Sequence, residues 1–280
     1  MRRNTTGNGV VGVAARLAGI LPFVSLMLLL HTDTSLVCAA SQSPFFFPSN
    51  TSWFREAKFG LFITWGPVSQ WGTEIGFPLV CKQLPCTVQT KGPSTVTIKT
   101  VEELQQHRQQ YADLAQSFNP SEFDAEAMAK YAKTVGFKYL VFTTEHCDGF
   151  ANFHSKLSSY NILNTPYKKD IFGMLAKAFR DQGLRVGAYF CPSTWNSDDY
   201  WQPNAMTALG PVCRPNYTPA SDPERWKNYL KYLLGQLSEL ATQYSPDIVW
   251  IDCSEELNSL DTRVESVGRL FREVKGEVHR

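Results

Sequence analysis

The sequence predicts an α/β fold of the (β/α) TIM-type barrel, with about the first four βα units present. Short apolar segments alternate four times with segments of helical periodicity, a pattern typical of right-handed βαβ units and a parallel sheet. No Gly-x-Gly-x-x-Gly motif follows the first strand and no phosphate loop is present. These absences disfavour a dinucleotide-binding fold.

Four strands and the helices between them can be placed in order. The first strand, 59–65, is followed by a long turn-rich insertion over 68–107. Asp124 is the expected cap of a helix over 124–134. The remaining segments are strands at 139–144, 185–190 and 248–251, helices at 170–180 and 223–242, and a helical tail at 262–274. Four units make half of an eight-stranded barrel, so two strand edges would stay unpaired and the barrel looks incomplete.

Composition narrows the class of protein. Hydrophobic residues make up 43% of the 280 and charged residues 19%, which predicts a folded chain. The formal net charge of +1 gives no reason to expect nucleic acid as a partner. Neither the composition nor the net charge indicates whether the chain assembles, so a homo-oligomer is kept as an alternative to a monomer.

The first forty residues have the layout of a secretory signal peptide. Arg2, Arg3 and Arg16 precede an apolar run over 17–30, and small residues near position 40 suit cleavage. The run is short for a membrane span, so we expect no stable membrane insertion after cleavage, with an uncleaved anchor as the alternative. Residues 41–280 would then be the N-terminal part of a catalytic domain in the secretory pathway, extracellular or lysosomal.

Secretion changes how the cysteines are interpreted. Six cysteines remain after residue 40, and an even number in an oxidising compartment favours disulfides over zinc. Cys81 and Cys86 flank a tight loop and are the first expected pair, and Cys191 with Cys213 is a second, weaker one. Glycosylation acceptors at Asn50 and Asn216 suit the same route, although so short a motif also arises by chance.

The functional prediction centres on Asp252. It directly follows the apolar run 248–251, so a buried parallel strand would deliver its carboxylate to the edge where barrels keep their catalytic groups. The structural alternative is that Asp252 only caps the next helix. A second polar cluster, from Glu145 to Gly149, follows the strand 139–144.

Five motifs in order resemble the α-L-fucosidases of glycoside hydrolase family 29. They are Lys58 to Gly66, Trp71 to Glu74, Thr143 to Phe150, Ser155-Lys156 with Tyr160-Asn161, and Pro246 to Asp252. The resemblance runs from about residue 53 to the end of the sequence. It implies an N-terminal (β/α) barrel, removal of terminal α-L-fucose from glycans with retention of configuration, and no cofactor or metal.

The resemblance also assigns roles to residues. Asp252 matches the family's nucleophile. His146 and Glu74 would bind fucose hydroxyls, and Trp250, Trp65 and Trp71 would pack against the sugar. Each of these five also has a purely structural alternative: the tryptophans as core aromatics, His146 as a brace of its loop, and Glu74 as a solvated charge.

Three positions depart from the family's pattern. Thr64 stands where the family has histidine, Cys147 replaces the second histidine of a pair, and Ile75 replaces a tryptophan. Because a hydroxyl-binding site that loses a partner discriminates less well, we expect altered glycan preference or reduced activity.

The resemblance places the acid/base glutamate beyond the end of this sequence. Glu255 and Glu256 lie too close to Asp252 along one strand exit to face it across a glycosidic bond. Arg280 aligns weakly with a sugar-binding arginine of the family. Two competing hypotheses follow: a fucose-binding pseudo-enzyme without turnover, and a metal-dependent hydrolase that uses His146, Asp148 and Asp252.

Overall fold

The computed structural model describes residues 52–81, 83–201, 215 and 217–252, with the backbone of residues 45 and 46. The described strands are β1 (Phe45–Phe46), β2 (Gly60–Ile63), β3 (Cys86–Gln89), β4 (Thr95–Ile98), β5 (Tyr139–Glu145), β6 (Arg185–Phe190) and β7 (Ile248–Ile251). The described helices are α1 (Ser52–Ala57), α2 (Val101–Asp113), α3 (Ala125–Val135), α4 (Ile171–Asp181) and α5 (Pro223–Tyr244).

Five strands form the main sheet, in the order β1-β7-β6-β5-β2. The strands β2, β5, β6 and β7 are parallel neighbours, whereas β1 runs antiparallel to β7. The four parallel strands are the four that the sequence predicts, so an α/β fold with a parallel sheet is confirmed. The described strands form an open row, and the closed barrel stays a prediction.

The register of the parallel strands sorts their side chains onto two faces. Thr143, Tyr189 and Trp250 are cross-strand partners, and they share what we call the inner face. Phe142 lies on the opposite, outer face, where its ring stacks on Phe172 of α4 at 6.2 Å. Both faces are apolar, which explains why these segments read as continuous hydrophobic runs.

Side-chain caps precede four of the five α-helices in the described part of the chain. The capping oxygens belong to Thr100, Asp124, Asp170 and Asp222, each accepting from the backbone N–H three residues on. An N-cap satisfies a backbone donor that the helix itself leaves without a partner. The predicted cap at Asp124 is confirmed.

The predicted insertion over 68–107 is more regular than expected. It contains the antiparallel hairpin of β3 and β4 and the first half of α2. The expected Cys81–Cys86 disulfide is confirmed, with an S–S distance of 2.01 Å. The weaker pairing of Cys191 with Cys213 is wrong, because Cys191 is a buried free thiol.

Several predictions fall outside the described residues. They concern the signal peptide at 1–40, Asn50, Cys213, Asn216, Glu255, Glu256, the tail at 262–274 and Arg280. Among the residues that are described, no helix has both the length and the apolar character that a membrane crossing requires.

Candidate active site

The carboxyl ends of β5, β6 and β7 bring together residues that are far apart in sequence. Asp252 directly follows β7, and its backbone N–H donates to the carbonyl of Phe190 on β6 at 3.1 Å. This bond continues the parallel ladder by one residue, which keeps Asp252 in register with β6. Because Asp252 lies two residues after Trp250, its side chain shares the inner face.

Tyr189 holds the carboxylate of Asp252. Its hydroxyl donates to Oδ2 of Asp252 at 2.5 Å. Burial raises the pKa of Tyr189, and the nearby Cys191 and Asp252 raise it further, so the hydroxyl stays protonated and remains a donor. A charged acceptor makes this hydrogen bond one of the stronger kind.

His146 lies on the other side of Tyr189. The two rings are stacked, with centroids 5.4 Å apart and an interplanar angle of 16°. Burial lowers the pKa of His146 to about 4, although the charge of Asp252 opposes that shift. The imidazole is therefore neutral near pH 7. Its Nδ1 lies 2.9 Å from Sγ of Cys147, which leaves Nε2 to meet a ligand.

An aromatic wall adjoins these polar groups. The ring of Trp250 lies 5.2 Å from Phe62 and 6.3 Å from Tyr189, and Phe62 is 5.7 Å from Tyr189. Phe62 is 45% exposed, so part of the wall faces solvent. Apolar rings beside a carboxylate and a neutral imidazole suit a sugar, which has one apolar face and several hydroxyls.

Trp65 lies apart from this group. Its ring packs against Phe118 at 5.6 Å and Phe123 at 5.2 Å, in the hydrophobic core. Strand residues alternate between faces, so with Phe62 on the inner face Trp65 points the other way. The position of Trp65 does not favour its predicted contact with a sugar, and the structural alternative describes it better.

Trp71 and Glu74 lie on the loop after β2. Trp71 is half-buried against His107 and Tyr111, with ring centroids 5.8 Å away in both cases. Glu74 is exposed. Gly76 on the same loop lies so close to Cys147 that an added Cβ would be 2.3 Å from its Sγ. This contact places the loop that carries Glu74 beside Cys147, which follows His146 in the sequence.

The three departures from the family's pattern have different surroundings. Thr64 is exposed and accepts a long hydrogen bond, 3.4 Å, from the hydroxyl of Thr143 on the inner face. Cys147 and Ile75 are both buried, and the thiol donates to the carbonyl of Ile75 at 3.9 Å. These last two replacements therefore lie in contact with each other.

Two buried carboxyls lie near the site but face away from it. Burial raises the pKa of Glu145 to about 8, and Gln236 and Thr194 face the group without a well-formed hydrogen bond. Burial also raises the pKa of Asp148 to about 6, and its oxygens accept from Tyr111 at 2.9 Å and from the N–H of Phe150 at 3.2 Å.

This geometry does not support the hypothesis of a metal site. The oxygens of Asp148 are engaged by the Tyr111 hydroxyl and by the N–H of Phe150. Among the described residues, no three His, Cys, Asp or Glu side chains are grouped so that they could hold a metal ion.

Sequence reasoning missed Tyr189, the residue that connects Asp252 with His146. The available signal was its place on the strand 185–190, one residue before the end and flanked by small and apolar residues. Only the register between β6 and β7, which pairs Tyr189 with Trp250, shows that the hydroxyl reaches Asp252.

Comparison with known proteins gives one consistent family. The family model described as alpha-L-fucosidase matches residues 47–277. A putative alpha-L-fucosidase of Caenorhabditis elegans is 26% identical over 214 residues, which cover 72% of this chain and 37% of that protein.

Solved structures agree with the sequence relatives. An alpha-L-fucosidase of Bacteroides thetaiotaomicron is 28% identical with a TM-score of 0.59, over 80% of this chain and 46% of that one. An alpha-L-fucosidase of the same organism, trapped as a covalent intermediate with 2-fluoro-fucosyl fluoride, is similar with a TM-score of 0.57, again over 80% of this chain and 46% of that one.

The matches are extensive for this chain and partial for its relatives. The chain spans roughly two fifths of the length of the curated relatives it matches, with 37% to 39% covered in the first three. The family model, in contrast, covers well over half of this chain. The chain therefore belongs to the alpha-L-fucosidase family.

Proposed function

We propose that this chain carries the nucleophile side of a retaining α-L-fucosidase and that Asp252 is the nucleophile. The observation that carries the proposal is the placement of Asp252 at the end of β7, with one oxygen bonded to Tyr189 and with His146 beside it. Membership of the family and a trapped covalent intermediate in a relative support the same chemistry.

Each group has a physical role in this proposal. The hydrogen bond from Tyr189 orients the carboxylate of Asp252 for its attack on the anomeric carbon. Neutral His146 offers Nε2 to a sugar hydroxyl without placing a positive charge in the pocket. Trp250 and Phe62 offer apolar surface for the methyl group of fucose.

The second carboxyl of the mechanism is not Glu145 or Asp148. A retaining enzyme needs an acid/base carboxyl roughly 5 Å from the nucleophile, with a raised pKa. Glu145 has a raised pKa, about 8, but it is fully buried and faces Gln236 of α5. Asp148 is fixed by Tyr111. Neither therefore serves as the acid/base, and we assign that role to a carboxyl outside the described residues, as the family resemblance implies.

The wider setting of the proposal follows from the family. We place the chain in the N-terminal part of a (β/α)8 catalytic domain over residues 41–280, with residues 1–40 as a cleaved signal. The substrate is a fucosylated glycan, and the site is extracellular or lysosomal. The Cys81–Cys86 disulfide fits a secretory route, because disulfides persist in oxidising compartments.

The experiment compares the gene product with its Asp252→Asn variant on an aryl α-L-fucoside. Loss of the nucleophile lowers kcat on the order of a thousandfold or more. The matched control is Asp181→Asn, which removes an exposed carboxylate at the end of α4 and leaves the rate unchanged. Equal rates for Asp252→Asn and the unsubstituted protein would show that Asp252 is not the nucleophile, and fucose binding without turnover would favour the pseudo-enzyme.

A further inference from the structure

One face of α2 supports the loop that follows β2. The two buried side chains of this helix are His107 and Tyr111, which are four residues apart and therefore neighbours on its surface. Nε2 of His107 lies 2.8 Å from the carbonyl oxygen of Pro78. Trp71 packs against both rings, with centroids 5.8 Å away in each case. The loop is thus attached to a regular helix at more than one point, which limits how far it can move.

The hydroxyl of Tyr111 joins this loop to the turn that carries His146. It accepts from the backbone N–H of Gly76 at 3.0 Å and donates to Oδ2 of Asp148 at 2.9 Å. We call these two hydrogen bonds the Tyr111 clamp. Asp148 lies inside the turn, which the N–H of Gly149 closes on the carbonyl of His146 at 2.9 Å. Tyr111 is 1% exposed and Asp148 is 2% exposed, so both bonds lie away from bulk water.

The chemistry of the hydroxyl matches the two bonds that it makes. A phenol has one proton to donate and lone pairs to accept with. Burial and the nearby carboxylate of Asp148 raise the pKa of Tyr111 well above its usual value, so the hydroxyl keeps the proton that it donates. The bond to Asp148 has a charged acceptor when that carboxyl is ionised, which makes it the stronger of the two.

We propose that Tyr111 is a positioning residue, which fixes Glu74 relative to His146 so that both meet hydroxyls of one sugar. Tyr111 contacts the loop on both sides of Glu74, since its ring meets Trp71 and its hydroxyl bonds to Gly76. Glu74 itself is exposed. A carboxylate on an unsupported loop loses conformational freedom when it binds a sugar, whereas a loop that is held in advance loses less. The clamp therefore strengthens sugar binding although Tyr111 does not touch the sugar.

The inference rests on the proposed fucosidase function, with Glu74 as one of the hydroxyl contacts that the family resemblance implies. A purely structural role for Tyr111 has a different consequence. It lowers the free energy of unfolding when the hydroxyl is removed, but it leaves the affinity of the folded protein for fucose unchanged. Binding of L-fucose, measured apart from turnover, therefore separates the two roles.

A double-mutant cycle on L-fucose binding tests the positioning role. The gene product is compared, by titration calorimetry, with Tyr111→Phe, Glu74→Ala and the double variant. Phenylalanine keeps the ring beside Trp71 and removes both bonds of the clamp. Tyr111→Phe should raise the Kd for L-fucose about 3- to 30-fold, and the same change should have less than about a twofold effect in the Glu74→Ala background. The matched control is Tyr131→Phe, at an exposed tyrosine of α3, which should leave the Kd unchanged.

Three results would overturn the proposal: an unchanged Kd for Tyr111→Phe, an equal loss of affinity in both backgrounds, and no binding of L-fucose by the unsubstituted protein. A protein that binds fucose without turnover would contradict the proposed fucosidase function and would still allow the cycle to be measured. The two failures are therefore distinguishable.

Amide hydrogen exchange of the unsubstituted protein gives a check that requires no variant to fold. The N–H of Gly76 is buried and bonded to Tyr111, so it should exchange far more slowly than an exposed loop amide. The N–H of Gly72, on the exposed part of the same loop, is the internal comparison. Exchange of the Gly76 amide at the rate of an exposed one would show that the clamp is not formed in solution, and would reject the proposal.

Discussion

Replacing the buried acid Glu145 with glutamine tests how the outer face of the sheet is built. Glu145 is completely buried, and neither oxygen makes a well-formed hydrogen bond. Burial without a partner charge disfavours the carboxylate, which is why the pKa is raised to about 8 from 4.5. Glutamine has nearly the same shape and no charge, and its amide can pair with Gln236 of α5.

The sign and size of the change in stability follow from the ordinary pKa of Glu145, 4.5, and its raised pKa in the folded protein, about 8. Between pH 4.5 and about 8 the folded protein keeps a proton on Glu145 that the unfolded chain releases. Stability from this group is therefore fully present below pH 4.5 and is lost as the pH rises toward 8. The full difference is on the order of 5 kcal/mol. Glutamine does not titrate, so the Glu145→Gln variant does not lose this stability. The unfolding free energy of the variant minus that of the unsubstituted protein should therefore rise by several kcal/mol between pH 5 and pH 8.

Urea unfolding of both proteins at intervals from pH 5 to pH 8 measures this difference. Other titrating groups are common to the two proteins and cancel. Glu56→Gln, an exposed change on α1, is the control and should show a small offset that does not vary with pH. A constant difference for Glu145→Gln over the whole range would refute the reasoning. The same variant should leave the proposed turnover of an aryl α-L-fucoside unchanged, since Glu145 faces Gln236 of α5.

Two further substitutions probe the site and its support. Tyr189→Phe removes the hydrogen bond to Asp252 but keeps the ring against His146. The value of kcat/KM should fall about 10- to 100-fold, as expected for the loss of a hydrogen bond to a charged group. An unchanged kcat/KM would contradict the role of Tyr189. Asp170→Ala removes the acceptor of the Gly173 N–H at 2.9 Å and of the Tyr244 hydroxyl at 2.6 Å, and should cost roughly 2 kcal/mol in urea unfolding. A decrease of only a few tenths of a kcal/mol in the unfolding free energy would show that the cap contributes little.

The sequence predicted the parallel strands well because both of their faces are buried. The strands 185–190 and 248–251 were predicted with the bounds that the structure has. Caps such as Asp124 could also be predicted, because a short polar side chain directly before an apolar periodic segment commonly caps the first turn of a helix. The hairpin of β3 and β4 and the helix α2 were missed, although Thr100 and Glu103 form a capping box that was readable in the sequence.

The site itself was harder to predict than the strands that hold it. Trp65 and Trp250 both lie at strand ends beside a family motif, yet they point to opposite faces. Which face each one occupies depends on strand register, and register is set by the whole sheet rather than by the local residues. The contact of Tyr189 with Asp252 depends on the same register, so no local pattern indicates it.

The most direct test of Asp252 as the nucleophile is covalent trapping with 2-fluoro-fucosyl fluoride. Fluoride leaves without help from a general acid, so the experiment isolates the attacking carboxylate from the acid/base group. The gene product is incubated with the reagent, digested and mapped by mass spectrometry, with Asp252→Asn alongside. The account predicts a 2-fluoro-fucosyl group on the peptide at Asp252 and no label on the variant. A label on a different carboxylate, or equal labelling of both proteins, would contradict it.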